Sequence, residues 1–445
     1  MFPAFEILFS VCCVAHGIVR SCISISKNVI IIQLFQNPIS LLFCGYLCSR
    51  MNLRSLFLQH VAQTSPAPLA LHIVKAEGCL LWDAAGKQYL DGIGGISVAN
   101  VGHRHPAVLA AIQNQLDAYL HVMVYGEFIQ SPQVQYAKAL TEHLPASLNS
   151  VYFTNSGAEA VEGAMKLAKR VTGRTGIAAF KNSYHGSTQG ALSILGDEYW
   201  RAAFRPLLPG IRHLEYNSFD DLQYITENTA CVIAETVQAE AGIIAPQTDW
   251  LAALRNRCTE TGTLLILDEI QAGFGRTGAL WGFEKLGVVP DVLLLGKALG
   301  GGMPLGAFIA DITLMQQLTD NPVLGHITTF GGHPVCCAAG LAAFNALLDE
   351  DLPHGVLKKM ELFQQRLVHP QIKAVRAFGL WMAVAFHSFE QCKQIINACI
   401  EQGLLTDWFL FAPHCLRLSP PLTITEDQIE AACAIILKSI ETVNA

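Results

Sequence analysis

Two apolar runs constrain what this chain can fold into more than any other feature of it. Leu264-Leu265-Ile266-Leu267 ends in Asp268-Glu269-Ile270-Gln271, and Val292-Leu293-Leu294-Leu295 ends in Gly296-Lys297. Each run has the length and side chains of a strand buried on both faces. An acid and an amine at strand ends belong at the carboxyl edge of an open α/β sheet, where such sheets gather their ligands. Strand and helix patterns alternate around these runs. Strands are expected at 151–153, 176–180, 211–216, 230–236, 264–268, 292–296 and 307–310, with helices at 158–171, 250–261 and 334–348. That order predicts a mostly parallel sheet covered on both faces. Earlier in the chain, 78–91 has the alternation of a hairpin turning at Ala84-Ala85-Gly86, and helical periodicity covers 106–120 and 132–144. Past about Leu341, helices mix with short strands near 380–386 and 416–418, the pattern of a smaller domain.

At 445 residues the chain can bury a large core in more than one domain. A net charge of −7, with no block of Lys or Arg, excludes nucleic acid as the main partner. Five of the fourteen cysteines lie in the first fifty residues. The other nine show no CxxC spacing, so neither a metal site nor a redox pair is expected, and a reducing, cytoplasmic setting is. The first fifty residues do not match the rest. Runs such as Ile7-Leu8-Phe9 and Val29-Ile30-Ile31-Ile32 are interrupted by Glu6, Lys27 and Gln36. No run reaches the roughly 20 apolar residues of a membrane helix, and no basic start precedes the runs as in a signal peptide. The segment is read as a mis-start ahead of Met51 or a targeting segment, and no membrane partner is expected.

The two strand ends sit among further motifs. Thr154-Asn155-Ser156-Gly157-Ala158-Glu159 joins a strand to a helix. Ser156 can cap that helix, and the N–H groups of Gly157 and Ala158 suit a dianionic phosphate, although a plain N-cap would look the same. Tyr184-His185-Gly186 follows a strand with an aromatic that could lie on a flat ring. Gly300-Gly301-Gly302 leaves the backbone beside Lys297 open to close approach. Thr328-Thr329-Phe330-Gly331-Gly332-His333 is either a second phosphate contact or a capped turn. Gly273-Phe274-Gly275-Arg276-Thr277-Gly278 matches the dinucleotide GxGxxG pattern, but neither a helix nor the second acid-tipped strand follows it. Gly296-Lys297 is no P-loop, because Asp291 and Ala298 stand where Gly and Ser or Thr are required. A buried lysine facing an acid instead suits pyridoxal 5'-phosphate (PLP): the amine holds the aldehyde and the acid keeps the pyridine nitrogen protonated.

Taken together in this order and spacing, Asn155–Ala160, Tyr184–Gly186, Leu267–Gly278, Gly296–Gly302 and Thr329–Pro334 resemble the class III PLP-dependent aminotransferases. That group includes the acetylornithine, ornithine, 4-aminobutyrate, putrescine and diaminopelargonate aminotransferases. The resemblance runs from about Ser65 to the C-terminus. It implies fold type I, with a large PLP domain at 106–335 and a small domain built from 51–105 and 336–445. A homodimer with shared active sites is also implied.

The resemblance further implies that Lys297 carries PLP as a Schiff base and moves the proton, that Asp268 pairs with the pyridine nitrogen, and that Gln271 bonds the ring hydroxyl. Tyr184 would stack on the ring, with His185 and Glu235 among the cofactor contacts. Ser156, Gly157 and Ala158 would hold the phosphate, with Thr329 arriving from the neighbouring subunit. Glu240 and Arg417 match a pair in the ornithine-type enzymes, in which the arginine is masked during donor binding and freed for the carboxylate of 2-oxoglutarate. An ordinary ion pair would have the same sequence. Three positions depart from the family pattern. Ser187 replaces an arginine that grips the donor carboxylate, Ile96 replaces an entrance tyrosine, and Thr236 replaces a proline. An aminotransferase acting on an amino acid or ω-amine with a 2-oxo acid acceptor is therefore expected. Diamine or diaminopelargonate donors, or an aminomutase, decarboxylase or racemase reaction, are the alternatives.

Overall fold

The computed structural model describes residues 9–15, 18–26, 29–34 and 53–444. Ile7, Leu8 and Met51, which figured in the reading of the N-terminal segment, lie outside the described residues. The chain divides into two compact units, 1–73 and 74–445. In the first, β1 (Phe9–Ala15), β2 (Ile18–Ser26) and β3 (Val29–Leu34) form an antiparallel meander, followed by helix α1 (Leu53–His60). Runs rich in Val and Ile favour strands over helices, which accounts for the meander. No described helix is long and apolar enough to cross a membrane.

The second unit opens with the expected hairpin. Strands β4 (Ile73–Glu77), β5 (Leu80–Asp83) and β6 (Gln88–Asp91) form one side of a four-stranded sheet. Asp83 Oδ1 closes the turn by accepting from the amides of Ala85 and Lys87. Helices α2 (Pro106–Ala118) and α3 (Ser131–Glu142) follow, each with a proline in its first turn.

The centre of the unit is a seven-stranded sheet. In chain order its strands are β7 (Ser150–Thr154), β8 (Gly176–Phe180), β9 (Ile211–Leu214), β10 (Thr229–Glu235), β11 (Leu264–Asp268), β12 (Val292–Leu295) and β13 (Gly306–Ala310). Spatially the order is β7-β13-β12-β11-β10-β8-β9. β13 runs antiparallel to both its neighbours and the remaining pairs are parallel. The molecule is thus an α/β fold with a mostly parallel sheet, as the alternating pattern required. Helix α4 (Gly157–Thr172) packs Ala160, Val161, Ala164 and Leu167 on this sheet. It lies so close that a Cβ at Gly163 would stand 2.4 Å from the Phe308 ring.

Helices α5 (Trp250–Thr261) and α6 (Pro334–Asp349) match their predicted spans within a residue, and α6 packs on α2 and α3. A second four-stranded sheet contains β14 (Ala374–Ala377), β15 (Met382–Ala385), β17 (Asp407–Trp408) and β18 (Cys415–Leu418), while β16 (Leu404–Leu405) pairs with β6. That pairing joins sequence from both ends of the second unit.

Candidate active site

The carboxyl edge of the central sheet carries the chemistry. Parallel pairing puts Glu235 and Asp268 in register at the ends of β10 and β11, and β12 delivers Lys297 two residues past its last strand residue. α4 starts at the same edge. Ser156 caps it by accepting from the Glu159 amide at 3.2 Å, while the amides of Gly157 and Ala158 have no acceptor among the described residues. A cavity of about 280 Å³ is lined by Gly157, Ala158, Tyr184, His185, Ser187, Glu235, Glu240, Asp268, Gln271 and Lys297. Gly296 passes close to Ile270, whose Cγ2 would lie 3.1 Å from a Cβ at that position. Ser156 stands behind the cavity as the cap. Ile96 and Thr329 do not line the cavity, and Thr329 is exposed.

Asp268 is held from two sides. Its Oδ1 accepts from the Ile270 amide at 3.0 Å, and its Oδ2 lies 2.7 Å from His185 Nδ1. Burial favours the neutral imidazole, but the bond to Asp268 and the charges of Asp268 and Glu235 outweigh it and raise the His185 pKa. Glu235 accepts from the amides of Tyr184 at 3.0 Å and Ala239 at 2.8 Å, fixing the loop that carries Tyr184. Burial nevertheless pushes its carboxyl up to about 7. Lys297 Nζ donates to Gln271 Oε1 at 3.0 Å. Desolvation lowers its pKa, while Glu240 and Asp268 oppose the shift.

Arg417 lies behind Glu240 and makes a bidentate pair with it at 2.8 and 2.9 Å, both side chains being almost fully buried. The guanidinium also lies over the Phe409 ring and donates to the Trp408 carbonyl. Three residues here carried no usable sequence signal. Asp407, the register partner of Arg417 across β17 and β18, places Oδ1 2.9 Å from Arg417 Nε. Burial pushes the Asp407 carboxyl up to about 6 against the pull of Arg417. Trp381 lines the cavity but belongs to an apolar run that looks like any core strand. Ser97 accepts from Gln271 Nε2 at 3.3 Å across 174 positions of sequence. The departure at Thr236 acquires a reason: its Oγ donates at 2.7 Å to Oε1 of the buried Glu269, which also accepts from the Gly282 and Phe283 amides. A proline could not make that bond.

Comparison with known proteins agrees with this geometry. Residues 61–440 match the family model described as Aminotransferase class-III. The chain is 39% identical over 380 residues to the acetylornithine aminotransferase of Methanopyrus kandleri, covering 84% of this chain and 95% of that one. It is also 39% identical over 381 residues to the putrescine aminotransferase of Pectobacterium atrosepticum, covering 82% and 80%. Among solved structures, the ornithine aminotransferase of Toxoplasma gondii aligns with a TM-score of 0.83 at 29% identity, covering 93% of this chain and 99% of that one. A PLP-bound amine transaminase from an uncultivated Pseudomonas species aligns at 0.80 and 28%, covering 86% and 98%.

Proposed function

The chain belongs to the class III aminotransferases and is a PLP-dependent transaminase, and from that premise we propose that it passes the amino group of a carboxylate-free ω-amine to 2-oxoglutarate. The site fits the cofactor. A primary amine, an acid with no lysine or arginine partner among the described residues, and two amides without acceptors among them, at the start of a sixteen-residue helix, converge on one cavity. Lys297 Nζ would hold PLP through its aldehyde, Asp268 would accept a hydrogen bond from the protonated ring nitrogen, and Gln271 would face the ring hydroxyl. Tyr184 would cover the ring, and Ser156, Gly157 and Ala158 would cradle the phosphate. When bound, PLP supplies a ring that takes up the electron pair left when the substrate carbon loses its proton.

The residues of the chain then have definite tasks. Desolvation of Lys297 enlarges the neutral share of Nζ, the form that can accept the substrate proton and return it. The His185 contact keeps Asp268 aligned toward the cavity. Glu235, gripping the Tyr184 amide, keeps that aromatic over the cavity.

Substrate choice rests on one observation: Arg417 is engaged by Glu240, Asp407 and the Trp408 carbonyl, and Ser187 offers only a hydroxyl. Among the described residues lining the cavity, no free guanidinium meets a donor carboxylate. This supports a diamine of the putrescine type over acetylornithine as donor. It also supports an acceptor whose carboxylate displaces Glu240 from Arg417. We further propose a homodimer in which Thr329 reaches the partner's phosphate. The apolar side chains of Leu116, Leu120 and Phe330 are exposed on the face that carries Thr329, as a subunit contact requires.

The test is single-turnover spectroscopy of the PLP-loaded protein. Putrescine should discharge the visible cofactor band faster than acetylornithine or 4-aminobutyrate, and 2-oxoglutarate should restore it with release of glutamate. Faster discharge by acetylornithine would overturn the donor assignment. Failure of 2-oxoglutarate to restore the band would overturn the acceptor assignment.

A further inference from the structure

The longest run of positive-φ backbone among the described residues is the turn at Gly94–Ser97. Gly94, Gly95, Ile96 and Ser97 have φ of +53°, +63°, +64° and +61° in succession. They form one turn of left-handed helix, closed by Ser97 N to Ile93 O at 3.0 Å and Val98 N to Gly94 O at 2.8 Å. Two of the four are not glycine, and one of those is β-branched, for which this region is a steric outlier.

Such strain persists only where the surroundings over-determine it, and they do so here. Asp91 Oδ1 accepts from the amides of Ile93 and Gly94, while Asp91 Oδ2 lies 2.7 Å from His103 Nε2. Ser419 Oγ donates to the Ile93 carbonyl. Beyond the turn, Asn100 donates to the Phe274 carbonyl and accepts from the buried Arg276 at 2.6 Å.

What the turn delivers is the Ser97 hydroxyl, 1% exposed, to Gln271 Nε2. Gln271 Oε1 in turn accepts from Lys297 Nζ. A lysine amine in its charged form only donates, so the carbonyl end of this amide must face Lys297 and its NH2 end must face Ser97. The serine is therefore the anchor of the amide that does not depend on the state of Lys297. We propose that Ser97 is a positioning residue: the left-handed turn holds its hydroxyl against Gln271 and so keeps that amide in place beside the cofactor ring. The proposal rests on reading Gln271 as a cofactor contact.

Three single variants and one double variant test it, through PLP binding to the apoprotein and the pH midpoint of the visible band of the loaded protein. Ser97→Ala and Ser97→Gly should each weaken PLP binding roughly 3- to 10-fold, the value of one neutral hydrogen bond, and should move the pH midpoint. Glycine also relieves the positive φ, so Ser97→Gly should melt no lower than the parent protein, which separates loss of the hydroxyl from loss of the fold. Once Gln271→Ala is present, adding Ser97→Ala should change PLP affinity by less than about 2-fold. Unchanged affinity and pH midpoint in both serine variants would overturn the proposal. So would an undiminished effect of Ser97→Ala in the Gln271→Ala background. If Gln271→Ala alone leaves PLP affinity intact, the cofactor role of Gln271 falls first and this proposal falls with it.

Discussion

Replacing Glu240 with glutamine separates a working switch from an ordinary ion pair. In the resting protein both Glu240 oxygens accept from Arg417, at 2.8 and 2.9 Å, on the guanidinium edge proposed to take the acceptor's carboxylate. An incoming carboxylate must therefore break two charge-assisted bonds before forming its own. A bond of that kind has a net value of about 1.5–3 kcal/mol. Glutamine can keep one of the two through its oxygen, while its NH2 group faces another donor. Unmasking Arg417 should thus favour acceptor binding by about 1.5–3 kcal/mol, which is a drop in KM for 2-oxoglutarate of roughly 10- to 100-fold. An aldehyde acceptor, which carries no carboxylate, has no use for the arginine, and its KM should not move.

The variant should still fold. Removing one partner of a buried pair costs about 3–5 kcal/mol when the other is left uncompensated, but Asp407 remains 2.9 Å from Arg417 Nε. Glu240 is among the groups that raise the Asp407 pKa, so its neutralisation pulls Asp407 down and keeps that acid ionised. The loss should therefore fall at or below about 3 kcal/mol. Steady-state kinetics with the two acceptors decide the question. Equal changes for both, or no fall for 2-oxoglutarate, would refute the switch.

Other perturbations have equally definite expectations. Lys297→Ala should lower glutamate formation at least about 100-fold, and borohydride should no longer fix cofactor mass to the chain; retained activity would remove the lysine from the chemistry. Ser187→Arg should raise kcat/KM for acetylornithine or 4-aminobutyrate by about 10-fold or more through a bidentate carboxylate contact, and no gain on either would count against the missing clamp. Thr236→Val should destabilise the fold by about 1–3 kcal/mol by leaving Glu269 short of a donor. Burial pushes Glu269 up to about 7, above its unfolded value, so the stability it contributes is complete below the unfolded value and lost as pH rises through 7. The Thr236 bond favours the charged form, so the cost of the valine should grow as pH rises past 7 in unfolding titrations; a pH-independent difference would exclude that coupling.

The parts of the fold that were legible in the sequence are those set by a single period. β11 and β12 are buried on both faces, so their composition alone marked them, and their last residues marked the sheet edge. The alternation of these strands with helices such as α4 and α5 then left little room for any topology but a mostly parallel sheet. The helix start at Ser156 to Ala158 was legible for a similar reason, since a cap and two small residues form a local pattern. Ser187, Ile96 and Thr236 stood out only as departures from a family pattern, and Thr236 gained a physical reason only when Glu269 was found opposite its hydroxyl.

Contacts that depend on distant residues left no such trace. Asp407 faces Arg417 because two short strands fold back in antiparallel register, and nothing in Asp-Trp at 407–408 announces a second acid on that guanidinium. The turn at 94–97 is the clearest case. A Gly-Gly-Ile-Ser sequence suggests a flexible loop, and intrinsic propensity argues against isoleucine at positive φ. Local preference is overruled there by Asp91, Ser419 and Asn100, which come from both ends of the unit and hold the turn against its own strain. Strain of that kind is sustained where geometry has a use, and the only buried side-chain hydroxyl the turn presents is the one that meets Gln271, opposite Lys297. The position least legible in sequence is therefore the one whose removal should be felt at the cofactor without loss of the fold.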